Sequence, residues 1–115
     1  MSATPEDFND ELKRVIDSVI FGIVGQNVLR ALHKHLKERY DITPNEIPYR
    51  LDTLFEILEN TFGVTAARTL GNVIVRRLYF RYNLQFGDTK GYRLQDYVDE
   101  AKRQLAQGVS SELHK

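Results

Sequence analysis

The chain has 115 residues, 42% of them hydrophobic and 28% charged, and its 16 basic and 16 acidic side chains cancel. That is the size and composition of one domain with one core, and the balanced charge argues against a protein built to coat nucleic acid or anionic lipid. The absence of cysteine removes disulfides, thiolate ligands and thiol nucleophiles.

The first predicted helix opens at Thr4, Pro5, Glu6 and Asp7. This is a capping residue, a first-turn proline and acids against the helix dipole. Phe8, Leu12, Val15, Ile16, Val19, Ile20 and Ile23 follow at steps of three and four, which makes the segment amphipathic. A turn or kink is expected between Gly22 and Gly25, because both weaken a helix and the apolar stripe changes phase there. The second helix runs from about Gln26 to Tyr40, with Val28, Leu29, Leu32, Leu36 and Tyr40 as its stripe. Thr43, Pro44 and Glu46 form a capping box and predict one short helical turn, pinned to the core by Ile42 and Ile47.

Leu51, Leu54, Phe55, Leu58 and Phe62 mark the third helix, and Gly63 stands where a left-handed C-cap glycine belongs. Asp52, Glu56 and Glu59 share an acidic face beside that stripe. The fourth helix, about Thr65 to Asn83, is apolar on more than one side: Ala67, Gly71, Ile74, Val75, Leu78 and Tyr82 on one face, Val73 and Phe80 elsewhere. Such a helix is central or meets a partner. A fifth helix, about Arg93 to Gln107, carries Leu94, Tyr97, Val98, Ala101 and Leu105. No clean period-two alternation suggests a strand. The expectation is therefore an all-α, orthogonal or bundle-like single domain of about five helices over residues 1–109, with a loose tail at 110–115.

No constellation for chemistry emerges. His33 and His35 are two apart and diverge on a helix, so they cannot share a metal ion. The serines sit mid-helix or near the termini, the carboxylate pairs are spaced like a solvated helix face, and no phosphate-binding glycine loop is present. The reading is of a non-enzyme, with no catalytic residue, no metal and no cofactor. The longest uncharged run, Ser18 to Leu29, is twelve residues, against about twenty for a membrane span. With an acidic N-terminus that does not resemble a signal peptide, it predicts a cytoplasmic protein without membrane contact.

Charge is unevenly placed. Residues 1–24 carry five acids against Lys13 and Arg14, whereas residues 64–87 carry Arg68, Arg76, Arg77 and Arg81 and no acid. Arg76-Arg77-Leu78-Tyr79-Phe80-Arg81-Tyr82 combines the residue types enriched at protein interfaces. In the plainest alternative, Arg77 and Arg81 pair with the acidic face of the third helix. Val19 to Val24 is apolar on nearly all sides and must be buried in this chain or against another. These two features nominate Val73, Arg76, Tyr79, Phe80, Ile20 and Val24 as a partner interface, the partner being a second copy or another protein. Nucleic acid is the alternative. Phe62-Gly63-Val64-Thr65 resembles the turn of a helix-turn-helix, which would put Thr65, Arg68, Thr69, Asn72 and Arg76 on one face able to enter a major groove. A small-molecule sensor would need a pocket between helices, for which Tyr40, Tyr79 and Phe55 are candidates.

Several stretches, among them Gly25-Gln26-Asn27-Val28, Ala31 to Tyr40, Ile42 through Ile47-Pro48, Leu54 and Phe55, Thr61-Phe62-Gly63 and Val73 to Tyr79, resemble a small archaeal output domain named after Nitrosopumilus. The resemblance covers roughly residues 24–86. The Val-Thr-Ala-Ala that follows the turn departs from the pattern, where a second glycine or an acid is expected. The resemblance implies an archaeal, cytosolic, non-enzymatic role in signalling or regulation, and it brings no catalytic residue with it.

Overall fold

A computed structural model describes residues 5–89 and 91–107. The expected cap at Thr4 and the expected tail at 110–115 lie outside these. Five α-helices and one 3-10 helix follow in order: α1 (Pro5–Val24), α2 (Gln26–Tyr40), the 3-10 helix (Pro44–Tyr49), α3 (Leu51–Phe62), α4 (Val64–Arg81) and α5 (Leu94–Ala106). There is no strand among the described residues, and the fold is all-α as the periodicity implies.

Each boundary has a local cause. α1 runs straight through Gly22, and the break falls on Gly25 alone, with φ 93° and ψ 168°. Gly63 repeats that conformation, at φ 93° and ψ 162°, between α3 and α4. Both lie in a region that is essentially reserved for glycine, with ψ far from the left-handed helical value anticipated for a C-cap at Gly63. α2 ends at Asp41, which does adopt the left-handed conformation and donates its N–H to the Lys37 carbonyl at 3.1 Å. The Thr43–Glu46 capping box then starts the 3-10 helix, and Ile42 and Ile47 enter the core as expected. α4 closes with Asn83 at φ 57°, with Leu84 N–H reaching back to Tyr79 O at 2.9 Å, a Schellman-type ending.

α4 is the central element and packs against α1, α3 and α5. It lies antiparallel to α1. Phe8 stacks on Tyr82 with ring centroids 5.5 Å apart, Glu11 pairs with Arg81, and Arg77 donates to the Ser18 hydroxyl at 3.3 Å. The third helix, expected to hold these arginines through its acidic face, does not; α1 does. α2 packs chiefly on α1, and of its stripe Leu32 and Leu36 are buried. Asp17 bridges the two, with Lys13 Nζ at 2.9 Å and His33 Nε2 at 3.1 Å. His35 instead lies edge-on to Tyr40, so the two histidines do diverge.

α5 is held through aromatic packing. Phe86, in the segment joining it to α4, contacts the rings of both Tyr79 and Tyr97 at 5.4 Å. The buried Tyr79 hydroxyl donates to the Tyr97 carbonyl at 2.6 Å. Burial, and next the nearby Glu100 carboxylate, push the Tyr79 phenol up to about 12. In the unfolded chain this phenol ionises near 10, so above that pH the unfolded state holds fewer protons and gains relative to the fold. Stability from this group is complete below about pH 10 and declines toward pH 12. Tyr79→Phe is expected to lose about 1 kcal/mol at neutral pH and to flatten the alkaline decline, as read from urea midpoints across the pH range.

Candidate functional site

The residues nominated as an interface separate into three groups. Ile20 and Tyr79 are core, 0% and 2% exposed, and offer nothing to a partner in this fold. Ile20 falls on the α1 stripe, and Tyr79 is turned inward by its bond to α5. Val24 and Val73 are half-buried and packed against the core. Arg76 and Phe80 are exposed; Phe80 is 85% accessible, and the Arg76 guanidinium lies 4.9 Å from the centroid of the Phe86 ring.

Helix geometry brings the two sequence features together. The Ser18–Arg77 contact fixes the antiparallel register of α1 and α4. Phe21 is three residues further along α1, and Val73 is four residues back along α4, so the two stand level across the pair. Phe80 follows one helical repeat beyond Val73 on the same outer face. Phe21 is 53% exposed and Ile23, at the end of α1, is 54% exposed. The apolar Val19–Val24 stretch is thus only half consumed by this chain's core.

Thr65, Arg68, Thr69, Asn72 and Arg76 are all exposed and fall along one side of α4. The connection before them, however, is not that of a helix-turn-helix. Phe55 lies eight residues before Gly63 and Gly71 eight after it, each about 12 Å from the turn along its helix axis. Helices crossing at the angle of that motif would be about 17–21 Å apart at those points. Instead a Cβ on Gly71 would stand 3.3 Å from Cε1 of Phe55. The pair is an antiparallel αα-hairpin, and a side chain smaller than any other at position 71 lets it close.

Beside this hairpin an open cavity of about 570 Å³ is bounded by α3, α4, residues 88, 89 and 91–93, and the start of α5. Of the three aromatic residues expected at a pocket, only Phe55 lines it; Tyr79 is sequestered and Tyr40 lies against His35 on α2. The connection carries no periodicity or motif in the sequence, yet it supplies Asp88, Thr89 and Tyr92 to the wall. It is strapped to α5, with Thr89 N–H donating to the Tyr97 hydroxyl at 3.0 Å. The aromatics at Phe86 and Tyr92 in an otherwise polar stretch were the available signal for a packed connection. A second, apolar cavity of about 250 Å³ lies between α2 and α3, lined by Val28, Leu32, Ile57 and Phe62 among others.

No group of three or more His, Asp or Glu side chains is placed to hold a metal ion among the described residues, and none of their helices is long and apolar enough to cross a membrane. The geometry defines an all-α helical fold around α4, with Val73 and Phe80 on its outer face among exposed arginines and a cavity of mixed polar and apolar lining on another side. No protein-family model, curated protein or solved structure matches the chain.

Proposed function

We propose that this chain is a non-catalytic regulatory module that acts by binding protein, and that its interface is the outer face of the α1–α4 pair, closed by a second copy of the chain. The observation that carries the reading is Phe80, 85% exposed, on the same outer face as Val73 and level-matched Phe21. Single exposed apolar residues are ordinary, whereas several large ones gathered on one face mark an association site. Charge adds little to this contact, because Glu11 of α1 is already paired within the chain with Arg14 and Arg81, and Asp17 with Lys13 and His33; the apolar side chains carry it. The resemblance over residues 24–86 to a small signal-output domain agrees with a regulatory role in the cytoplasm.

Light scattering in line with size exclusion tests this. The wild-type chain is expected at twice its 13.4 kDa mass. Phe80→Asp is expected to elute as a folded monomer, because the side chain leaves no cavity behind. A monomeric wild type, or a Phe80→Asp variant that remains dimeric, overturns the reading. The exposed, acid-free Thr65–Arg76 face supports nucleic acid as a second reading. The same measurement with sheared DNA at low salt separates the two, because only a phosphate-bound complex dissolves as salt rises.

A further inference from the structure

We propose that the cavity between α3, α4 and the start of α5 is a binding site for a small planar organic anion of about mononucleotide size. It lies across α4 from the α1 contact, so it does not depend on the dimer reading.

The volume, about 570 Å³, falls within the range of ligand pockets. Its chemistry has three parts. Arg68 from α4 and Arg93 at the start of α5 both line it, and neither takes part in an ion pair among the described residues. These two guanidiniums have no ion-pair partner among the described residues although the wall also carries the Glu59 and Asp88 carboxylates, and they can grip a phosphate or carboxylate through paired N–H donors. Asn72, one turn along α4 from Arg68, adds an amide.

The second part is aromatic. Phe55 from α3 and Tyr92 from the connection line the same space, which gives a flat, apolar ring two surfaces to rest on. The third is Glu59, also on the wall and also outside any ion pair. Its carboxylate accepts from hydroxyl or amino groups on the ligand. An oxyanion for the arginines, a ring for the aromatics and a hydroxyl or amino donor for Glu59 together describe a nucleoside monophosphate or an aromatic carboxylate bearing a hydroxyl. The shared requirement is the oxyanion joined to a ring.

Titration calorimetry on the full chain with AMP, 4-hydroxyphenylacetate, adenosine and inorganic phosphate tests this. At least one of the two ring-bearing anions is expected to bind with Kd below about 1 mM. Adenosine and phosphate alone are expected to bind at least about tenfold more weakly, since each lacks half of the recognition. AMP alone binding identifies the phosphate as the source of the anion, and 4-hydroxyphenylacetate alone identifies a carboxylate. Arg68→Ala and Arg93→Ala should each weaken binding about tenfold or more. Arg77→Ala, on the α1 side, should leave it unchanged. Both cavity arginines are exposed, so their variants should melt with the wild type, which separates lost recognition from lost folding. No binding by either ring-bearing anion, or binding that survives both arginine substitutions, overturns the proposal.

Discussion

Leu78→Ala is expected to lower stability by about 2–5 kcal/mol, whereas Phe80→Ala, two residues on, should change it by less than about 0.5 kcal/mol. Leu78 is fully buried at the middle of the core-facing side of α4, the helix that touches α1, α3 and α5. Truncating it removes the transfer energy of its side chain and leaves a cavity that three neighbouring helices cannot all relax to fill. Phe80 has almost no packing to lose within the monomer. Domains of this size are stable by roughly 5–15 kcal/mol in total, so the first change consumes a large share of the margin. Chemical denaturation of both variants at high dilution reads the contrast. Comparable losses at the two positions would mean that Phe80 packs inside the monomer and that the outer face of α4 is misassigned.

Two alanine substitutions at glycine are expected to move stability in opposite directions. Gly63→Ala should cost about 1–3 kcal/mol, because the backbone there, at φ 93° and ψ 162°, is one that a Cβ disfavours. No neighbouring atom would meet the new methyl group, so conformational strain is the whole effect. Gly22 is helical, exposed and equally free of neighbours. There alanine should stabilise by about 0.5–1 kcal/mol, since glycine loses more chain entropy inside a helix. Thermal melts of the two variants should therefore bracket the wild type. A melting temperature for Gly63→Ala equal to the wild type would mean that the α3–α4 turn relaxes freely, and the antiparallel hairpin would then owe its geometry to Phe55 packing on Gly71 alone.

The five helices were legible because burial imposes a three-to-four spacing that a single chain displays openly. Leu12, Leu54, Leu78 and Val98 are core on that spacing, and core they are. Turn positions were legible near Gly25 and at Gly63 but not at Gly91, which also has a positive φ, and Gly22 was misleading because a helix tolerates an exposed glycine at modest cost. What periodicity does not encode is which helix lies across from which. Arg77 and Arg81 had an acidic face to meet on α3 in sequence, and they meet Ser18 and Glu11 of α1 in space. The same blindness put Tyr79 at an interface, because its inward turn depends on a carbonyl of α5 eighteen residues away. The end of a stripe is equally ambiguous. Ile23 continues the α1 pattern but lies past the point where the core closes, and it is 54% exposed. The cavity was invisible for a related reason, since the connection that forms its wall has no period to read and is ordered by Tyr97 from the next helix.

The central claim is that two copies meet through the outer face of α1 and α4, and the absence of cysteine from the chain makes a direct measurement possible. Single-cysteine variants at Val73, at Phe21 and, as a control, at Lys34 on the exposed side of α2 would be oxidised under identical dilute conditions and resolved by non-reducing electrophoresis. In a two-fold interface a residue near the axis faces its own copy. The account predicts rapid disulfide-linked dimer from Val73→Cys or Phe21→Cys and only slow, concentration-dependent linkage from Lys34→Cys. Linkage at Val73 and Phe21 no faster than at Lys34 would contradict it.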